Sequence, residues 1–532
     1  MQLQTTRSSA LLKLAALGVT IGFAFPAAYL IWRNFTFQSD PLGVLFSERT
    51  AAPLLRTLRL AVLVSASTAV LGTALAWFST RCDLTWKRLW QTLLPLPLVF
   101  PTFIGAAALI RTLNPGGLLT DWLANIGISW NVEIRGLFGA WLALTLFTYP
   151  YVYLPVAARL RRLSGSAEET ARLLGDSPLA VVRRVVLPQT ATAISAGTLL
   201  VFLYAISDFG AVQLMRYDTL SRAIYTTRLN NQPVSLALSV ILLVLAAVVV
   251  FSERAATRRF ENAAPARSTR PVIYRLGKTK PLVLAFMGTS VAVALLGPLA
   301  SLLDWSIDGL RIDSAGGRDL LVGWDNIWKP IWNTALGSIL AALAAVFAVL
   351  PAAYLAIRHR SRIGTIANAI IVSSFALPGI LIGLGLLFWT LKTDLGNPLR
   401  NTVALLVFGY VVRFGGQTMR TSQVAVAAVS ARLTDAARTL GAKWTKRFRT
   451  LDLPLMAPGL LAGGGLVMLS VMKELPITLL IAPFDFPTLT TKAFNSIEEA
   501  FIAEAGVWSA LLVLLSGIGT WLFIVRRADK FD

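Results

Sequence analysis

The chain has 532 residues, 55% of them apolar and only 14% charged, with a formal net charge of +22. This balance excludes a soluble globular domain and a disordered chain, and leaves a polytopic membrane protein whose basic residues set topology and meet anionic lipid. No nucleic-acid partner is needed to explain the charge, and the single cysteine, Cys82, excludes an intrachain disulfide or a cysteine-rich metal site.

Twelve apolar stretches predict about twelve transmembrane helices. In the first half they lie near 10–32, 55–79, 90–112, 136–158, 189–212 and 233–251. In the second they lie near 281–303, 331–357, 364–391, 401–421, 456–481 and 505–525. Lipid offers the backbone no hydrogen-bond partner, so the expected fold is all-α. The first span follows Arg7 and Lys13, shows no clear small-residue cleavage site and reads as an uncleaved anchor. The basic stretch 252–280, with Pro265 and Pro271, reads as a cytosolic linker. It separates a first repeat, 1–251, from a second, 281–532.

The halves repeat one another. Pro53 and Thr57 recur 277 residues on as Pro330 and Thr334, and Pro101 recurs at the same offset as Pro378. A polar motif recurs at an offset of 266. Its first copy runs Glu169-Thr170-Ala171-Arg172-Leu173-Leu174-Gly175 and closes thirteen residues later at Leu187-Pro188. The second runs Asp435-Ala436-Ala437-Arg438-Thr439-Leu440-Gly441 and closes at the same spacing at Leu453-Pro454. If both motifs and both termini face the cytosol, the basic excess falls on that face, the positive-inside pattern. Both halves then start on one side, which makes a parallel repeat of six helices each, related by an axis along the membrane normal.

Each motif predicts a compact knob. Ser166…Glu169 has capping-box spacing, Gly175 and Gly441 are helix stops, and Asp176-Ser177-Pro178 starts a second short helix. Val182, Val185 and Val186 would give that helix an apolar side, as would Trp444, Phe448 and Leu451 in the second copy. An ordinary solvated loop explains one copy; two copies with identical spacing point to paired docking sites.

These motifs resemble the cytosolic Glu-Ala-Ala…Gly…Leu-Pro signature of permease subunits of ATP-driven (ABC) importers. The resemblance covers nearly the whole chain, with Thr170 and Asp435 departing mildly from the pattern. It implies the type I importer permease fold. It also implies ATPase-docking roles for Glu169, Ala171, Gly175, Leu187 and Pro188, and for Asp435, Ala436, Ala437, Gly441, Leu453 and Pro454. The implied partners are two copies of a cytosolic ATP-binding subunit and a periplasmic substrate-binding protein, at the bacterial inner membrane. The Gly-x4-Gly-Lys-Ser/Thr nucleotide motif is absent from the chain, so ATP would be used by the partner, and no cofactor, catalytic or metal-binding residues are expected here. The fused halves, together with the segments 207–220 and 473–489, look like ferric-iron importer permeases, which are similar to thiamine and polyamine permeases.

Asp208 and Glu474 lie 266 residues apart at equivalent places in the spans. Ionisable groups at membrane depth are costly and often line a polar path. The structural alternative is neutralisation of Glu474 by Lys473 at headgroup level. Arg413 faces the same choice, Met468 and Met472 read as packing, and His359 lies in a cytosolic loop. Acidic residues in the outer loops (Asp304, Asp308, Asp313, Asp319, Asp325, Glu498, Glu499 and Glu504) are candidate contacts for a binding protein. The competing class is a twelve-span secondary transporter driven by an ion gradient, which would not need paired docking knobs.

Overall fold

The structure, a computed structural model, describes residues 10–37, 41–127, 132–260, 272–311, 324–359, 361–520 and 522. Among these the fold is helical, and the one extended pairing is an isolated parallel bridge between Cys82 and Tyr274. Among the described residues nine helices are long and apolar enough to cross a membrane, or eleven if each of two bent pairs is one span. Val403–Ala428, 26 residues long, carries Arg413 and Arg420 and fills the remaining expected place. Part of the expected linker (261–271), part of the outer loop with Asp313 and Asp319, and the last residues of the twelfth stretch lie outside the described residues.

The longest helices are equivalent: Glu48–Arg81 and Trp324–Ile357, 34 residues each. At 1.5 Å per residue each is about 50 Å long, against a hydrocarbon core of about 30 Å, so each tilts or projects beyond the core. The Pro–Thr repeat becomes one bonding pattern used twice. Thr57 Oγ1 donates to the Pro53 carbonyl and accepts from Leu220 N–H (2.7 and 2.8 Å). Thr334 Oγ1 donates to the Pro330 carbonyl and accepts from Leu489 N–H (2.7 and 2.9 Å). In both halves the carbonyl of the helix proline and a helix-starting N–H are joined through one hydroxyl.

Four expected spans are not continuous. The stretch expected at 90–112 bends by 104° between Lys87–Val99 and Thr102–Asn125, and that at 364–391 by 103° between Arg362–Ser374 and Gly379–Lys392. Pro101 and Pro378 stand at the two breaks as N-caps of the second arms. A proline forces its predecessor out of the helical region, and Phe100 is accordingly extended. The spans expected at 189–212 and 456–481 stop at Ser207 and Met472, and short helices Gly210–Leu214 and Pro476–Ile481 follow.

The second short helix expected in each knob is the start of the next span instead. Pro178–Ser207 and Thr445–Met472 run through without a bend that separates them. Pro188 and Pro454 would clash with the carbonyl four residues back in an α-turn. The chain widens to a π-turn over Val182–Val186 and over Phe448–Asp452, and Leu187 and Leu453 N–H bond five residues back.

The opening helix of each half packs on the other half. Ala10–Phe37 lies against Trp324–Ile357, Arg362–Ser374 and Gly379–Lys392, with Tyr29 Oη donating to the Phe388 carbonyl (3.3 Å). Gly297–Arg311 lies against Thr102–Leu113, where Thr112 and Ser301 share a hydroxyl bond of 2.8 Å. The halves are thereby interlocked.

Candidate functional site

The four breaks converge on a cavity of about 360 Å³ that both halves line. Asp208 and Glu474, the two carboxylates singled out in the sequence, both line it and are buried (7% and 9% exposed). Each sits in the gap between a span and the short helix after it. Asp208 Oδ1 accepts from Ala211 and Val212 N–H (3.0 and 3.4 Å), and Oδ2 accepts from Thr102 Oγ1 (2.6 Å). Glu474 Oε1 accepts from Ile477 N–H (3.4 Å). Buried charge is tolerated only when hydrogen-bonded, and backbone donors at a helix start meet that need.

The halves solve the same packing problem with different residues. Thr102 and Gly379 are equivalent positions, directly after Pro101 and Pro378. Where the first half sets Thr against Asp, the second sets Gly against Glu. A Cβ at Gly379 would fall on Glu474 Oε1, so the longer acid occupies the room the missing side chain leaves. Elsewhere the cavity is chemically one-sided. Phe147, Tyr151 and Tyr204 line it from the first half; the positions 266 residues on are Arg413, Gln417 and Ser470.

Lys473 does not neutralise Glu474: among the described residues no ion pair joins them. Lys473 Nζ instead donates across the halves to the Leu98 carbonyl (3.2 Å). Arg413 donates through Nη1 to the Phe375 carbonyl (3.1 Å), and its buried Nε has no hydrogen-bond partner among the described residues. The cavity therefore presents two carboxylates, a guanidinium and an ammonium. Among the described residues no group of three or more His, Cys, Asp or Glu is placed to hold a metal ion. Met472 is buried and Met468 packs against the core.

The knobs form at the opposite end of the Leu187–Ser207 and Leu453–Met472 helices. In the first, Ser166–Leu173 ends at Gly175 with φ +91°. Gly175 N–H bonds the Arg172 carbonyl and Asp176 N–H the Ala171 carbonyl (both 3.0 Å). In the second, Ala431–Thr439 ends at Gly441 with φ +74°, and Gly441 and Ala442 bond Arg438 and Ala437 (2.9 and 3.0 Å). Both are Schellman stops, which only glycine enters without strain. The expected capping box at Ser166…Glu169 does not form; the helix starts one residue earlier, capped by Gly165 without a side-chain bond. Ser177 and Ser430 cap through their hydroxyls instead.

Glu169 and Asp435 are exposed, as are Pro188 and Pro454, while Ala171 is buried and Ala437 half-buried. Leu187 and Leu453 are each 40% exposed. The expected apolar sides face inward: Val186 is buried, and Val182, Val185, Phe448 and Leu451 are half-buried. The side chain of Trp444 lies outside the described residues. The apolar surface turned outward is Leu173, Leu174 and Leu179 on the first knob and Leu433 and Leu440 on the second, with Leu173 and Leu440 almost fully exposed (88% and 86%). Sequence reasoning missed these leucines because they lie in or beside the motif, where apolar residues read as core.

Among the acids expected in outer loops, Asp304 is bound internally by Arg111 (3.1 Å), and Glu498 accepts from Gln213 Nε2 (2.8 Å). Asp313 and Asp319 lie outside the described residues, as does the side chain of Asp325.

Two segments, 68–262 and 344–528, match the family described as binding-protein-dependent transport system inner membrane component. The chain belongs to this family. It is a translocation component of an ABC importer rather than an enzyme: a multi-pass inner-membrane permease that works with ATP-binding and substrate-binding partners. That sets aside the gradient-driven transporter. Along 95% of its length the chain is 29% identical to the Fe(3+)-transport system permease protein FbpB 2 of Haemophilus influenzae, covering 96% of that protein. It is 26% identical to the probable ABC transporter permease protein y4fN of Sinorhizobium fredii, over 72% of this chain and 70% of that one. A shorter match, 30% identical over 42% of this chain and 83% of the other, is to the molybdenum transport system permease protein ModB of Mycobacterium bovis.

Proposed function

We propose that this permease imports ferric iron delivered by a periplasmic binding protein, through the cavity between its halves. The observation that carries the pathway is the convergence of four broken helices on one cavity with a carboxylate from each half. Non-helical backbone at membrane depth is tolerated where it lines such a space. The full-length likeness to an Fe(3+) permease supports iron; the likeness to a molybdenum permease is partial. Asp208 and Glu474 favour a cation, while Arg413 and Lys473 keep the lining from acting as a cation trap. Selectivity then rests with the binding protein.

The two leucine-tipped knobs dock one ATP-binding subunit each, so the complex holds two copies, and ATP is used by those subunits alone. Residues 1–251 and 281–532 act as the two repeats, joined by the cytosolic linker 252–280. Both termini face the cytosol, and 33–54, 304–330 and 482–504 face outward, because that arrangement puts the basic excess inside. The test is uptake by vesicles holding the complete complex, offered labelled iron(III), thiamine, a polyamine and molybdate side by side. Uptake of another cargo with none of iron overturns the substrate and leaves the permease intact.

A further inference from the structure

The first knob is tied down by a buried network that reaches outside its own segment, whereas among the described residues the second knob's buried ion pair, Arg447 with Asp452 (3.2 Å), is local to its turn into the span. Glu168, the residue before the motif acid, is buried and forms an ion pair with Arg81 at the end of Glu48–Arg81; their side chains are 2% and 0% exposed respectively. The other oxygen of Glu168 accepts from Tyr274 Oη (2.7 Å), and Arg81 Nη1 also reaches the Leu160 carbonyl (3.4 Å). Tyr274 comes from the far side of the chain's centre, in the last part of the connector 252–280. Its backbone is fixed as well: Tyr274 N–H donates to the Arg81 carbonyl (2.7 Å), Asp83 N–H donates to the Tyr274 carbonyl (3.2 Å), and Leu276 N–H donates to Asp83 Oδ1 (2.8 Å). The Tyr274 ring packs on Trp77 (5.0 Å between centroids), and the Arg172 guanidinium of the knob helix lies 4.7 Å from its centre.

In the second half the position of Arg81 is taken by Arg358, which bonds the Val429 carbonyl. The position of Glu168 is taken by Thr434, whose hydroxyl, among the described residues, bonds only the carbonyl of its own helix's N-cap, Ser430. A desolvated ion pair contributes little net stability unless its lone pairs are filled, but it holds one arrangement in preference to others. Here the filling group is a tyrosine supplied by the chain that joins the halves.

We propose that residues 272–276 are a brace that holds the first knob rigid through Tyr274, Glu168 and Arg81, so that the two ATPase subunits drive the permease unequally. Tyr274 and Glu168 are positioning residues for coupling. The proposal rests on the docking reading of the knobs. It also gives the connector a role beyond linkage: it delivers Tyr274 to the knob of the preceding half.

The test uses the full chain assembled with its ATP-binding subunits, in vesicles, with Tyr274→Phe and Glu168→Gln and, in the second half, Thr434→Ala. Tyr274→Phe removes one hydroxyl bonded to a charged acceptor and leaves the ring and the ion pair in place. Amide exchange of 166–176 should speed up about tenfold, the loss of one hydrogen bond to a charged group, with 431–442 unchanged. Labelled iron(III) moved per ATP hydrolysed should fall in Tyr274→Phe and Glu168→Gln, at unchanged copurification of the ATP-binding subunit, and hold in Thr434→Ala. If Glu168→Gln fails to assemble, Tyr274→Phe decides. Unchanged exchange at 166–176, or an unchanged iron-to-ATP ratio in Tyr274→Phe, overturns the brace. The exchange arm needs no cargo, so it decides even where iron is not what the complex carries. Failure of docking itself shows separately, as intact copurification in Leu173→Asp with Leu440→Asp.

Discussion

The pairing of position 379 with 474 invites a double exchange. Gly379→Thr places a side chain where Glu474 Oε1 now lies, and so drives the carboxylate off the Ile477 N–H. A hydrogen bond to a charged group is worth about 1.5–3 kcal/mol, so the single change should destabilise by about 2 kcal/mol or more. Glu474→Asp alone shortens the acid opposite a glycine and loses the same bond, at a cost of about 1–3 kcal/mol for the buried carboxylate. Together the two changes rebuild what the first half already has, a threonine hydroxyl donating to an aspartate at 2.6 Å, as Thr102 does to Asp208. The double variant should recover about 1–2 kcal/mol over the sum of the singles, the range for directly coupled neighbours. The assay is unfolding of the purified permease in detergent, run as a double-mutant cycle at fixed lipid and detergent. Simple additivity would refute the argument that the halves solve one packing problem in two ways.

Gly175→Trp and Gly441→Trp should leave the protein inserted yet uncouple uptake from ATP hydrolysis, because a β-carbon at φ +91° or +74° costs about 1 kcal/mol or more and the ring covers the docking face. Normal uptake with normal ATPase association in both would remove the docking role. Burial pushes the Cys82 thiol up to about 11 from its ordinary 9.0, so at neutral pH it is protonated and should resist maleimide; its labelling should rise only as pH climbs toward 11 or on unfolding. In a Cys82→Ser background, Pro265→Cys should be shielded from an impermeant reagent applied outside, and labelling there would invert the topology. Asp304→Arg should disturb the contact with Arg111 by no more than about 1 kcal/mol, since that pair is a third exposed, and Arg111→Asp in the same chain should restore it. Asp308→Lys should instead weaken binding-protein docking without altering cargo choice, read as the binding protein's affinity for vesicles.

Much of this protein is written in local pattern. Hydropathy alone places twelve helical stretches, because lipid leaves the backbone no alternative to the helix. The 266- and 277-residue offsets reveal a doubled architecture, and a glycine at fixed spacing after a short polar helix announces each Schellman stop, because its conformational demand is local. Asp208 and Glu474 stand out for the same reason: a charge in an apolar run is visible without any neighbour.

What the sequence could not decide was where those local pieces meet. Hydropathy does not register a bend, so it predicts continuous spans across the breaks at Pro101, Pro378, Asp208 and Glu474. The π-turns before Pro188 and Pro454 let helices pass through prolines that looked like boundaries. The exchange of opening helices between halves, the bonds of Lys473 to Leu98 and Arg413 to Phe375, and the convergence of Arg81, Glu168 and Tyr274 all join residues far apart in the chain. Such contacts depend on the summed packing of a dozen helices, and no periodicity or spacing carries that sum. Composition and pattern determined that this chain is a doubled helical membrane protein with two knobs. Only the tertiary structure decided that its four breaks share one cavity and that Glu168 of the first knob meets Arg81 and Tyr274, because burying a charge requires a partner and the partner came from elsewhere in the fold.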